Sequence, residues 1–245
     1  MQRYFAHSKN GNNFLLKNDD IYHIKTVMRM KDNDKIIAVY ENIPYLCELE
    51  NVNQELKVNI KEQLEIKKDK LPKITLIIPL LKEQKMDLIL QKATELGVNE
   101  IIPIILSRSV IKIDDKKENN KLDRWKRIVK EASEQSHRNE IPLITNIKKI
   151  EELELKDLNI VCSTREQANN IKYTLKNNNS CDTINVVVGP EGGLTEKEEE
   201  ILIKKGFEAV TLGTRIMRVE TVPIYIMSVI NYEYLEWFYV KFINK

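Results

Sequence analysis

The chain has 245 residues, 42% of them hydrophobic and 31% charged, with a formal net charge of +2. That is enough apolar material for one large domain or two smaller ones, and the composition argues against disorder. Cys47, Cys162 and Cys181 are unpatterned and His7, His23 and His137 are scattered, so neither a disulfide framework nor a metal site is expected.

The first predicted elements, over residues 1–70, are short strands and one helix. Residues 3–6 and 14–16 are brief apolar pieces. Asp19 can cap a helix over residues 21–28, where Ile21, Ile24, Val27 and Met28 recur at helical spacing. Residues 35–40 and 45–49 alternate as strands around an Asn42-Ile43-Pro44 turn, and residues 58–60 and 64–66 complete a small barrel. The polar stretch Lys67-Lys68-Asp69-Lys70 reads as a linker to a second domain, residues 73–245.

From residue 73 the rhythm becomes strand and helix in alternation. Strands are predicted at 74–80, 100–106, 141–145, 159–163, 183–188 and 209–212. Helices are predicted at about 82–96, 122–135 and 196–205, with a long apolar one from near Thr221. Nearly continuous apolar strands between helices indicate a parallel α/β sheet. The longest apolar run, around residues 222–230, is broken by Pro223 and falls short of the ~20 residues a membrane helix needs. The start, Met1-Gln2-Arg3-Tyr4, lacks the apolar core of a signal peptide, which leads us to expect a cytoplasmic protein.

Charge is uneven along the chain. Residues 1–31 hold six basic and two acidic groups, residues 71–150 sixteen and eleven, and residues 151–245 eleven and fifteen. A basic front and middle suit a polyanion, although a solvated lysine-rich surface has the same signature. Lysines outnumber arginines 30 to 9, so the arginines are read as candidates for the planar, bidentate contacts that lysine cannot make.

Glycine is scarce at seven residues, yet five of them fall between 189 and 213. Gly189-Pro190-Glu191-Gly192-Gly193-Leu194-Thr195 follows an apolar strand, and Thr195 with Glu198 forms a capping box that starts the next helix. Strand-end loops of parallel sheets hold ligands, and helix N-termini suit anions. The Gly-Lys-Ser/Thr of a phosphate-binding P-loop is missing. By pattern alone the segment is either a ligand loop or a tight turn. Leu212-Gly213 through Arg215-Ile216-Met217-Arg218 to Glu220-Thr221 follows the next short strand, and Thr221 can cap the last helix. Its two arginines and glutamate are either functional or a surface ion-pair cluster. Three further segments stand out: Ser107-Arg108-Ser109 after a strand, Glu131-Ala132-Ser133-Glu134-Gln135-Ser136-His137-Arg138 at a helix end, and Arg3 with His23 and Arg29 near the start.

These segments occur in one order along nearly the whole chain, joined by Lys92-Ala93-Thr94-Glu95-Leu96-Gly97-Val98. The ordered set resembles the ribosomal RNA small-subunit uridine N3-methyltransferase family of the SPOUT superfamily. The resemblance implies an α/β fold: a trefoil-knotted C-terminal methyltransferase domain behind a PUA-like N-terminal β-barrel that binds RNA. It implies S-adenosylmethionine as cofactor, held by Gly189, Pro190, Glu191, Gly192, Gly193, Leu212, Gly213, Ile216, Met217, Arg218 and Thr221. It further implies a homodimer acting on 16S ribosomal RNA of the small subunit, at N3 of a uridine of the uridine-1498 type.

Uridine N3 is a poor nucleophile until its proton leaves, so the site needs a base or a charge-stabilising cation. Arg218 is assigned to the uracil carbonyls, and Glu220 to orienting Arg218 or assisting proton removal. Arg3, Arg29, Arg108 and Arg138 are assigned to RNA. The last helix carries Ile224, Tyr225, Ile226, Met227, Val229, Ile230, Tyr232, Tyr234, Leu235, Trp237 and Phe238, an apolar surface wider than one face, which fits a subunit interface or, alternatively, a helix buried inside a monomer. Asn33 and His137 depart from the family, standing where a glycine and a small residue are common. The alternatives are a knotted methyltransferase acting on a ribose 2′-oxygen and a non-catalytic RNA-binding assembly factor.

Overall fold

The computed structural model describes residues 1–52, 54–66, 71–109 and 115–243. The predicted linker at 67–70 and the side chains of Trp237 and Phe238 lie outside the described set. The chain divides into two compact units, Met1–Lys68 with Ser133–Ile141, and Asp69–Ala132 with Pro142–Lys245.

In the first unit, β1 (Arg3–Phe5), β2 (Ser8–Asn10), β3 (Asn13–Leu15), β4 (Lys35–Tyr40), β5 (Ile43–Glu50) and β6 (Lys57–Gln63) form one sheet. Their order is β1-β4-β5-β6-β3-β2, antiparallel except where β1 meets β4. Period-2 alternation sends Ile36, Ala38, Cys47, Leu49 and Val58 inward against Tyr4, Phe14 and Ile24. The β4–β5 turn lies at Glu41-Asn42, both with positive φ, instead of at Asn42-Ile43-Pro44. Tyr40 pairs with Ile43, so Pro44 is already in the strand opposite Val39. A two-residue turn with φ > 0 at both positions matches the twist of the strands it joins. Of the two strands predicted at 58–60 and 64–66, the first lies in β6, which ends at Gln63, and residues 64–66 form no strand.

The expected helix over 21–28 starts earlier and changes character. Helix α1 (Asn18–Tyr22) has Lys17 at its N-cap, with no side-chain cap, and Asp19 lies inside the first turn. A π-helical turn, His23–Val27, continues it. Asn33 has φ +71, which accounts for asparagine in place of glycine, whereas the φ of +59 at His137 does not account for its larger side chain. Glycine suits these left-handed positions, asparagine tolerates them, and histidine is held there at some cost.

In the second unit, β7 (Lys73–Pro79), β8 (Glu100–Ile104), β9 (Leu143–Ile144), β10 (Leu158–Cys162), β11 (Thr183–Val187) and β12 (Glu208–Val210) form a sheet of order β12-β10-β11-β7-β8-β9. Every pairing is parallel. The helices are α2 (Glu83–Glu95), α3 (Asp115–Gln135), α4 (Ile171–Asn177), α5 (Glu196–Lys205) and α6 (Thr221–Ile243). Helix α3 begins seven residues before the predicted 122, and α4 was not predicted.

Both faces of this sheet are covered. Leu76, Ile78, Ile160, Ile184 and Val186 pack under residues of α2, α3, α4 and α6, including Met86, Leu90, Trp125, Val129, Ile226 and Met227. Ile77, Val161 and Val187 point the other way, against Leu202 of α5 and Phe207. No helix among the described residues is long and apolar enough to cross a membrane.

The capping box at α5 is present in both directions. Thr195 Oγ1 accepts from Glu198 N at 3.2 Å, and Glu198 Oε2 accepts from Thr195 N at 2.8 Å. Glu198 Oε1 also accepts from Ser107 N at 2.7 Å. Burial pushes this carboxyl up, but the backbone N–H groups of Ser107 and Thr195 outweigh it and hold it below its ordinary value. A depressed carboxylate stabilises the fold above the unfolded-state pKa of ~4.3, and that stability is lost as pH falls through the folded value. Glu198→Gln is therefore expected to cost about 1–2 kcal/mol at pH 7. The difference from wild type, measured by denaturant unfolding, should shrink below about pH 4.

Candidate active site

The three strands β10, β11 and β12 end side by side, and the loops that leave them meet in one cleft of about 1130 Å³. Open α/β sheets bind ligands in the crevice outside such carboxyl ends. The first loop, after β10, is organised around Ser163. Its hydroxyl donates to Glu199 Oε1 at 2.7 Å and accepts from Arg165 N at 3.1 Å. The second is the glycine loop after β11, and the third runs from Thr211 to α6.

The glycine loop needs its glycines for two reasons. A Cβ on Gly189 would come within 3.1 Å of Leu194 N, a contact so tight that the facing backbone would have to give by a few tenths of an ångström. Gly193 has φ +68 and closes a turn by donating to Pro190 O at 2.8 Å. Three cations then hold the loop from different directions. Arg108 Nη1 donates to Gly192 O at 2.7 Å. Arg165 donates to Leu194 O at 3.0 Å and Thr195 O at 3.3 Å, and it pairs with Glu199. Lys85 Nζ meets Glu191 Oε1 at 2.5 Å.

The third loop contains the most exposed large apolar side chain among the described residues, Ile216 at 86%. Arg218 is exposed and lines the cleft. Its carbonyl accepts from Thr221 N at 2.9 Å and Val222 N at 3.2 Å, starting α6. Thr221 is the first residue of that helix and not its cap. Glu220 is half-buried, and its Oε2 lies 3.3 Å from Lys85 Nζ. A hydrogen bond within its own residue, then Lys85 and Arg218, hold its carboxyl below the ordinary range despite partial burial. Such a carboxylate stays ionised and is a weak base at neutral pH.

The cleft brings together most of the predicted cofactor residues: positions 189–193, Leu212, Gly213 and 216–218 all line it. Thr221 and Glu220 are not among its lining residues. Sequence reasoning missed Lys85, Arg165 and the whole loop after β10. Arg165 carried the faint signal of being an arginine in a lysine-rich chain, whereas Lys85 carried none.

The arginines assigned to RNA are distributed over both units. Within the first, Arg3 Nη1 donates to Arg138 O at 3.1 Å and to Asn139 Oδ1. Burial lowers the pKa of both Arg3 and Arg138. Arg29 is exposed with φ +51, just after the π-helical turn. Nearby, Tyr4 Oη and His23 Nδ1 share a hydrogen bond at 2.9 Å. Arg108, in the second unit, grips the glycine loop. Among the described residues no cluster of three His, Cys, Asp or Glu is placed to hold a metal.

Residues 67–231 match an RNA methyltransferase domain and residues 16–62 an RNA methyltransferase PUA domain. The ribosomal RNA small subunit methyltransferase E of Bacillus subtilis is 34% identical over 251 aligned residues, covering 95% of this chain and 97% of that protein. Its namesake in Mesomycoplasma hyopneumoniae is 37% identical over 232, covering 93% and 98%. The crystal structure of the Neisseria gonorrhoeae protein of that name, bound to S-adenosyl methionine, aligns with a TM-score of 0.82 at 29% identity, covering 95% of this chain and 97% of that one. Fold, cleft and domain matches together define the class, an RNA methyltransferase domain beside a PUA domain. Within that class, the chain belongs to the ribosomal RNA small subunit methyltransferase E family.

Arg165→Met removes the donors to two loop carbonyls and leaves buried Glu199 without its cation. A loss of about 2–3 kcal/mol is expected in urea unfolding, with an unchanged m-value.

Proposed function

We propose that this chain methylates N3 of a uridine of the uridine-1498 type in 16S ribosomal RNA, using S-adenosylmethionine, in the cytoplasm and as a homodimer. The observation that carries this reading is the single cleft in which the glycine loop and the segment before α6 come together with Arg218 at the wall. The cleft suits such a cofactor. Its volume of about 1130 Å³ is of ligand-binding size. Val188, Leu194, Leu212, Val219 and Val222 give it apolar walls, and two glycine-bearing loops give it accessible backbone. Bound there, S-adenosylmethionine supplies a methyl group already activated on its sulfonium. The residues proposed to hold it are those of positions 189–193 with Leu212, Gly213, Ile216, Met217, Arg218 and Thr221. The trefoil threading implied by the family belongs to the same proposal, supported by the convergence of the ends of β10, β11 and β12.

The chain's own contribution is positioning and electrostatics. Arg218, exposed toward the cleft, stabilises the negative charge that develops on the uracil carbonyls as the N3 proton leaves. Glu220, held ionised, orients Arg218 and is too weakly basic to be the principal proton acceptor. Ile216 offers apolar surface for the flat face of a base or adenine ring. Support for the dimer comes from α6, where Tyr225, Tyr232 and Leu235 are 38%, 68% and 40% exposed at spacings of seven and three residues.

Methylation of small subunits lacking the modification, followed by nucleoside mass analysis, decides the target atom. 3-Methyluridine is expected, and a 2′-O-methyl nucleoside would overturn the assignment. Arg218→Ala is expected to lower the single-turnover rate about 100-fold. A near-normal rate with RNA and cofactor bound would remove Arg218 from the chemistry.

The proposed RNA contacts remain Arg3, Arg29, Arg108 and Arg138, of which Arg29 is the cleanest to test because it is exposed and, unlike Arg108, does not brace the glycine loop. Replacing Arg29 by alanine should weaken RNA binding and reduce the slope of log K against log salt by about 1. Cofactor affinity, measured by calorimetry, should not change.

A further inference from the structure

Lys85 lies in the first turn of α2, where the positive end of the helix dipole disfavours a cation. Its position therefore calls for a compensating interaction. Its ammonium lies 2.5 Å from Glu191 of the glycine loop and 3.3 Å from Glu220 before α6. These carboxylates are 106 and 135 residues away in sequence, on the two segments that flank the cleft. Glu191 and then Glu220 keep Lys85 protonated against the effect of burial. Glu220 Oε2 is inaccessible to solvent and makes no hydrogen bond with good geometry, so the Lys85 ammonium at 3.3 Å compensates its charge.

We propose that Lys85 is a positioning residue that clasps the glycine loop to the segment before α6 and so fixes the width of the cofactor cleft. The inference rests on the methyltransferase reading, because it concerns the site assigned there to S-adenosylmethionine. Without the ammonium, the two carboxylates that share it, one of them partly buried, are left uncompensated beside each other, and their repulsion spreads the loops. A spread cleft loses contacts to cofactor and demethylated product alike, since the clasp acts on loop spacing. A purely electrostatic role would behave differently. Two uncompensated carboxylates would favour the sulfonium cation over the neutral product.

The test is calorimetric titration of the full chain with S-adenosylmethionine and with S-adenosylhomocysteine. Lys85→Met is expected to weaken both by about tenfold or more, and equally. Lys85→Arg should restore both to within about threefold of wild type. The triple variant Lys85→Met, Glu191→Gln, Glu220→Gln should recover part of the loss, because the repulsion is gone. Thermal melts accompany each variant, and if Lys85→Met does not fold, the arginine and triple variants carry the comparison against wild type. Unchanged affinity in folded Lys85→Met, or tighter binding of the cation with weaker binding of the product, overturns the clasp. Failure of the wild-type chain to bind either ligand would instead overturn the methyltransferase reading itself.

Discussion

The cleft depends on residues 188–195 keeping one shape. A loop leaving a buried strand carries backbone polar groups that must find partners. Here Arg108 takes Gly192 O, Arg165 takes Leu194 O and Thr195 O, and Lys85 takes the Glu191 side chain. These braces are themselves anchored. Arg165 pairs with Glu199 of α5, whose start is fixed by Thr195 and Glu198. Glu198 in turn holds Ser107, the residue beside Arg108. The loop, the start of α5 and the end of β8 thus form a closed circuit of charge-assisted bonds. Such bonds are stronger than neutral ones, and a loop already ordered adds little ordering cost when a ligand binds.

That circuit works only on a rigid base. The strands that feed the loops are buried on both faces, with Val186 turned to one core and Val187 to the other. A one-residue slip of β11 would exchange those faces and carry the glycine loop with it. The sheet therefore sets the position of Gly189 through the same alternation that sets the core. Asn231 Nδ2 adds a tie from α6 to Leu96 O at 2.7 Å, so the helix after the third loop is held to the end of α2, the helix that carries Lys85.

The elements readable from sequence were those whose signal is local. Apolar strands, the Thr195–Glu198 box and Gly206 as a left-handed helix end all lie where the residues placed them. The β4–β5 turn was misplaced because Pro44 is a stronger turn signal than Glu41, yet register put Pro44 in the strand. Helix α4 was missed because its seven residues hold few periodic apolar positions. In the site, glycines and paired motifs marked two of three loops. The loop after β10 has no glycine, and its order comes from Ser163, Glu199 and Asn169, contacts at long sequence separation. Lys85 was invisible for the same reason: one lysine among 30 acquires meaning only when α2 is placed beside the two loops.

The charge asymmetry also reads differently once the chain is folded. The middle of the sequence is basic and its end acidic, which on paper favours a polyanion partner for the middle. In the second unit, however, part of that charge is matched internally. Lys85 meets Glu191 and Glu220 from the acidic end, while Arg124 meets Glu83 and Asp87 within the middle. Arg108 is spent on a carbonyl. Net charge by segment therefore overstates what the middle presents outward. The arginine argument changes in the same way. Arginine was retained for fork-like contacts, but Arg3, Arg108 and Arg165 direct theirs at the protein's own carbonyls. Arg29 and Arg218 are exposed, as are Arg127 and Arg215; Arg29 follows the π-helical turn of the first unit, and Arg215 and Arg218 line the cleft. In the function proposed above, Arg29 is the guanidinium for an RNA phosphate and Arg218 the one for the charge that develops on the uracil oxygens.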